Sequence, residues 1–183
     1  MREPIHKFDK FTDLKDMLKI SGEKFGDRPA YMLRTEEKGK FKTITHKEFR
    51  EEINNIGTKL IDMELKNKRI AVIGENRYEW GVAYLAVVTG TGVVVPLDKA
   101  LPENEIESLI IRSEVEAIFY SKKYDDIMAK IQEKGNTKLR YYISMDLKEN
   151  TEKVYSMEQL VKDGKQLVEK GNREFIDAKI NPE

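Results

Sequence analysis

Two short stretches combine residue types able to do chemistry. Asn76-Arg77-Tyr78-Glu79-Trp80 sets a carboxamide, a guanidinium, a carboxylate and two rings side by side. Ser121-Lys122-Lys123 sets a hydroxyl against two ammonium groups. The first stretch follows an apolar run that reads as a parallel strand. It therefore falls where open α/β sheets place their ligands. It can equally be read as capping and packing, with Asn76 and Glu79 closing a helix start and Trp80 filling space beside a sheet. The second stretch suits an anion, because it joins two cations to an expected helix N-terminus; a solvated charge pair explains it too. Other chemistries find little support. There is no G-x-x-x-x-G-K-[ST] loop, and Gly90-Thr91-Gly92 follows a helical segment and lacks a third glycine. The only histidines, His6 and His46, are far apart, and no Ser-His-acid set assembles. No metal site is indicated.

The elements that would position these residues lie between residues 69 and 101. Ile70–Ile73 is a short apolar run ended by Gly74, which suits a strand buried on both faces. Tyr78–Val88 is apolar at almost every position and predicts a deeply placed helix. Gly90 and Gly92 terminate it, and Gly92–Leu97 returns as a strand. Strand, helix and strand with short joins make a βαβ unit and so a parallel sheet.

Before this unit, Phe11, Leu14, Met17, Leu18 and Phe25 have helical spacing, with Thr12 as cap and Gly26 as stop. Residues 1–10 form a polar lead-in. Ala30–Arg34 and Lys40–Thr45 predict a hairpin turning through Glu36–Gly39. Thr45-His46-Lys47-Glu48 is a capping box with Ile44 stapled to Phe49. It starts a helix reaching about Glu64, striped by Phe49, Ile53, Ile56, Leu60 and Met63. After Pro96, Pro102 opens a helix with Ile106, Leu109 and Ile110 inside. Strands follow at Glu116–Tyr120 and Lys138–Ser144, separated by a helix capped by Ser121. Ser156-Met157-Glu158-Gln159 is a further capping box, and its helix runs through Val168 with Leu160, Val161 and Leu167 inside. Residues 169–183 form a polar tail anchored by Phe175 and Ile176. The order predicts an α/β fold, a doubly wound and mainly parallel sheet with helices on both faces, preceded by an N-terminal helix and a small β-hairpin. The expected organisation is 1–45, 46–168 and 169–183.

Composition narrows the classes. The chain has 183 residues, with Lys+Arg and Asp+Glu both at 33, so no global field favours nucleic acid. With no basic stripe among its aromatics, the sequence predicts no nucleic-acid partner. The absence of cysteine excludes disulfides and thiolate chemistry. The N-terminus shows no apolar signal region, and the longest apolar run is too short for a transmembrane segment. A cytoplasmic location is the expectation.

Gly-Glu-Asn-Arg-Tyr-Glu-Trp (residues 74–80), its Ala/Val/Gly-rich helix and Gly-Val-Val-Val-Pro-Leu resemble the early core of AMP-forming acyl-CoA synthetases, in particular the long-chain fatty-acid–CoA ligases. The resemblance runs from about residue 10 to the C-terminus. It stops where that family continues into a Thr/Ser/Gly-rich phosphate-binding loop. It implies a parent reaction in which a fatty acid carboxylate attacks ATP, giving an acyl-adenylate and pyrophosphate, before the thiol of coenzyme A displaces AMP. It also implies that ATP, Mg²⁺ and coenzyme A serve the parent, with no cofactor held by these 183 residues. The chain is then an N-terminal fragment, inactive alone and able to dimerise through exposed apolar surface. On this resemblance Asn76, Arg77, Glu79 and Trp80 line the acyl side of the substrate cleft. Lys122 and Lys123 would contact a coenzyme A phosphate. The competing reading is a freestanding α/β regulatory or interaction module.

Overall fold

The protein is described here as a computed structural model covering residues 10–35 and 37–180. Most of the expected lead-in, Glu36 of the hairpin turn and the last residues of the tail lie outside the described residues. Two compact units divide the chain: residues 10–50 with Ile180, and Glu51–Lys179.

In the first unit Asp13, not Thr12, starts helix α1 (Leu14–Phe25), its carboxylate accepting the Asp16 amide at 2.9 Å. A carboxylate there satisfies an orphan N–H and complements the helix dipole, which a neutral threonine does less well. Strands β1 (Pro29–Arg34) and β2 (Phe41–Thr45) pair antiparallel, with Tyr31 opposite Ile44. The capping box then forms in full at the start of α2 (His46–Asp62). The Thr45 amide donates to Glu48 Oε2 at 2.8 Å, and the Glu48 amide donates to Thr45 Oγ1 at 3.1 Å. Ile44 and Phe49 flank it, both buried.

The second unit continues from α2, whose Ile53, Ile56, Leu60 and the following Met63 are buried as the stripe predicts. It adds β3 (Arg69–Ile73), α3 (Tyr78–Ala86), β4 (Val93–Pro96), α4 (Glu103–Ser113), β5 (Ala117–Tyr120), α5 (Asp125–Lys134), β6 (Tyr141–Ser144), β7 (Tyr155–Ser156) and α6 (Met157–Glu169). All five strands run parallel in the order β4-β3-β5-β6-β7. The path leaves β3 toward β4 and then returns over β3 to β5. Right-handed crossovers in opposite directions put α3 and α4 on opposite faces. On the α4 face, Ala71, Ile73, Ile118, Tyr120 and Tyr142 pack with Ile106 and Ile110 of α4 and with Met128 and Ile131 of α5.

Close approaches organise the other face. A Cβ on Gly164 of α6 would lie 1.9 Å from the Asn55 carbonyl oxygen of α2, so only glycine lets these helices meet. Val161 and Leu167, expected inside, are only half-buried, because the contact runs through Gly164 and Leu160. Phe175, fully buried, lays its ring against Gly57 of α2 and Gly90.

Several expectations are corrected. The helix of 78–88 is less deep than its composition suggests: Trp80, Tyr84, Leu85 and Val88 are only half-buried. It ends in a widened π-type turn, Val87–Thr91, with Gly90 at φ +154°. Ser121 does not cap α5. Its side chain makes no capping bond, and Lys122–Tyr124 form a separate 3₁₀ turn before α5 starts at Asp125. The fourth parallel strand begins at Tyr141 and not Lys138, because the Arg140 and Tyr141 amides both turn to the Glu116 carbonyl. Strand β7 is an addition. Only half of the Ser156 box forms: Ser156 Oγ accepts the Gln159 amide at 3.2 Å, while Gln159 Nε2 turns away to Asp163.

Candidate functional site

Reversal of the chain path between β3 and β5 leaves a crevice outside their carboxyl ends, the position where doubly wound sheets of this strand order hold ligands. Both candidate stretches arrive there. Gly74 follows β3 and Ser121 follows β5, and the two lie so close that a Cβ on Gly74 would sit 3.4 Å from the Ser121 Cβ. Sequence spacing could not show this meeting.

Arg77 is its centre. Nε donates to Glu79 Oε2 at 2.6 Å and Nη1 donates to Asp146 Oδ1 at 2.7 Å. Asp146 follows β6, and its second oxygen accepts the Lys122 amide at 2.7 Å. One carboxylate thereby ties the exits of three neighbouring strands together. The Ser144 hydroxyl supports it by accepting the amides of Asp146 and Leu147 at 3.2 and 3.3 Å. Asp146 escaped the sequence reading because it lies 69 residues from Arg77 and no local pattern marks it.

These contacts bear on the capping reading of residues 76–80. Asn76 is exposed and caps nothing. Arg77 occupies the N-cap position of α3, without a side-chain capping bond. Glu79 cannot reach back to close a box, because its carboxylate is taken by Arg77. Tyr78 is buried, its hydroxyl donating to Glu52 Oε2 at 2.9 Å. Trp80 stacks on Tyr84, with centroids 5.3 Å apart and planes 15° from parallel.

Electrostatics match the geometry. Glu79 above all, with Asp146, makes Arg77 hold its proton more tightly, against the effect of partial burial. Burial pushes the Asp146 carboxyl up, but Arg77 and the Lys122 amide outweigh it and keep it below the usual carboxylate range. The Ser121 hydroxyl, then its own backbone amide, hold Glu75 low as well. At neutral pH the crevice is therefore lined by ionised groups of both signs.

Lys122 and Lys123 are exposed, and Lys123 Nζ lies 5.5 Å from the Tyr124 ring centroid. As a phosphate cradle the pair is poorly equipped. The Lys122 amide is spent on Asp146, and α5 opens with Asp125 and Asp126. Among the described residues no group of three or more His, Cys, Asp or Glu is placed to hold a metal. None of their helices is long and apolar enough to cross a membrane.

Comparison with known proteins gives a consistent picture. A family model described as AMP-binding enzyme matches residues 18–178. Fatty acyl-CoA synthetase A of Dictyostelium discoideum is 30% identical over 110 residues, which are 60% of this chain and 16% of that protein. Among solved structures, a long-chain-fatty-acid-CoA ligase from Archaeoglobus fulgidus superposes with a TM-score of 0.70 at 17% identity, over 88% of this chain and 31% of its own. The adenylation domain of a carboxylate reductase from Mycobacterium chelonae gives 0.71 at 14% identity, over 84% and 29%. The likeness to the solved structures is one of fold, and the chain spans a minor part of each of these proteins.

Proposed function

The chain belongs to the AMP-binding enzymes, and from that membership we propose that it forms the non-reacting N-terminal portion of a long-chain fatty-acid–CoA ligase. The observation carrying this is the family match over residues 18–178, joined to 30% identity with a fatty acyl-CoA synthetase. The substrates of the whole protein are then a fatty acid, ATP and coenzyme A. Its chemistry is activation of a carboxylate as an acyl-adenylate followed by transfer to the thiol. A carboxylate becomes an acyl donor only once one oxygen is made a good leaving group, and AMP serves as that group.

In this reading residues 51–179 are a wall of the substrate cleft. The crevice over β3 and β5 is held in shape by Arg77 and Asp146. The half-buried Trp80–Tyr84 stack offers an apolar surface suited to an acyl chain. Asn76 and Glu79 stand beside it, Glu79 fixing the Arg77 side chain. No residue described here is assigned to the triphosphate or to Mg²⁺. The 183-residue chain alone is expected to release no pyrophosphate when given fatty acid and ATP.

The coding sequence past Glu183 tests the proposal. An open frame encoding Ser/Thr-Ser-Gly-Thr-Thr-Gly-x-x-Lys-Gly supports it. A stop codon points instead to a freestanding interaction module. In the full-length protein, Trp80→Ala should alter acyl chain-length preference; lost stability with unchanged preference would assign Trp80 to packing alone.

A further inference from the structure

A second recess lies on the face of the sheet covered by α5, apart from the crevice at Arg77. It encloses about 290 Å³, room for ~10 water-sized groups at ~30 Å³ each. Met128, Tyr142, Leu147 and Val154 supply an apolar lining, and Tyr120 and Asp125 supply polar atoms.

Tyr120 is the telling residue. It is 2% exposed, yet its hydroxyl makes no hydrogen bond among the described residues, although it lines the recess. A hydroxyl without a protein partner at the wall of a recess is available to whatever enters it. The recess is also held in shape before anything binds. Gln132 Nε2 of α5 donates to the Lys153 carbonyl at 3.1 Å. The loop over it is closed by the Thr151 amide donating to the Val154 carbonyl at 2.8 Å and the Val154 amide donating to Thr151 Oγ1 at 3.0 Å.

The lining sets the occupant. Asp125 and Lys153 both contribute to the wall, so the mouth carries one charge of each sign and favours a neutral molecule. A ring fits against Tyr142 and the Met128 thioether better than a flexible chain does. Burial pushes the Tyr120 phenol well above its usual range and raises that of Tyr142, so both stay neutral donors. We propose that this recess is a binding site for a small neutral aromatic alcohol, whose hydroxyl accepts from Tyr120 and donates to Asp125 while its ring lies among Met128, Tyr142, Leu147 and Val154. The inference does not depend on the ligase reading, because it rests on the lining of this recess and not on the crevice at Arg77.

2-Naphthol, which is fluorescent and of suitable size, tests it on the 183-residue protein. Saturable one-site binding is expected, with naphthalene and 2-naphthoate each binding several-fold more weakly. Tyr120→Phe should weaken 2-naphthol about three- to tenfold, as loss of one hydrogen bond requires. Ala129→Trp, on the wall contributed by α5, should fill the recess and abolish binding while leaving the far-ultraviolet circular dichroism unchanged. Absence of saturable binding, equal affinity in Tyr120→Phe, or full affinity in a folded Ala129→Trp protein would each overturn the proposal.

Discussion

Asp146→Ala removes the carboxylate that joins Arg77 to the Lys122 amide, and its consequence can be worked from the contacts. Two charge-assisted hydrogen bonds of 2.7 Å are lost, each worth ~1.5–3 kcal/mol when shielded from water. The Arg77 and Asp146 side chains are each 30% exposed, so water replaces part of the loss, and Arg77 keeps Glu79. A destabilisation of about 2 kcal/mol follows, which for a chain of this size lowers Tm by ~4–8 °C. Asp146→Asn, which keeps one acceptor, should lose about half as much. In a double-mutant cycle Arg77→Ala and Asp146→Ala should couple by about 1 kcal/mol. The pH dependence has a definite sign. The folded-state carboxyl of Asp146 lies below its ordinary value. The difference between wild type and Asp146→Asn is therefore fully present above ~pH 4 and fades as pH falls through the lowered value. Urea denaturation and thermal scans from pH 7 to pH 3 measure it. An Asp146→Ala Tm within 1 °C of wild type, or strictly additive single variants, would refute the tie between strand exits.

Further outcomes can be stated briefly. Gly164→Ala places a methyl carbon 1.9 Å from the Asn55 carbonyl oxygen and should cost about 3 kcal/mol in urea denaturation, because α6 must move off α2. Ser156→Ala removes the α6 cap and a 2.6 Å bond to the Leu147 carbonyl; about 1–2 kcal/mol should be lost, read by the same titration. Lys122→Ala with Lys123→Ala in the full-length protein should leave coenzyme A affinity within twofold by calorimetry, since no helix N-terminus reinforces these lysines. The exposed Met32 and Phe41 of the hairpin predict concentration-dependent self-association, and light scattering showing a strict monomer at high concentration would count against it.

The elements that the sequence revealed are those specified locally. The Thr45–Glu48 box, the stripe of α2 and the β-branched runs at 70–73 and 93–95 carry their signals within a few residues, and each forms as expected. Apolar runs bounded by glycine and proline were enough to indicate strands side by side. The site was less legible because tertiary contacts override local capping. Asn76 and Glu79 have the right spacing for a box, but Arg77 captures Glu79 once Asp146 fixes its other end. Ser121 has the right chemistry to cap a helix and instead turns into a 3₁₀ segment. Gly57 and Gly164 carry no local signal of their role, because each marks a close approach from a distant part of the chain.

Phe175 carries a consequence for synthesis. Its ring sits against Gly57 and Gly90, more than eighty residues upstream. A nascent chain that has emerged only through α6 still has a ring-sized gap between α2 and the turn after α3. Completion of this unit must therefore wait for one aromatic residue that follows its last helix. Until the ribosome releases that residue, the gap is an opening for chaperones and for proteases.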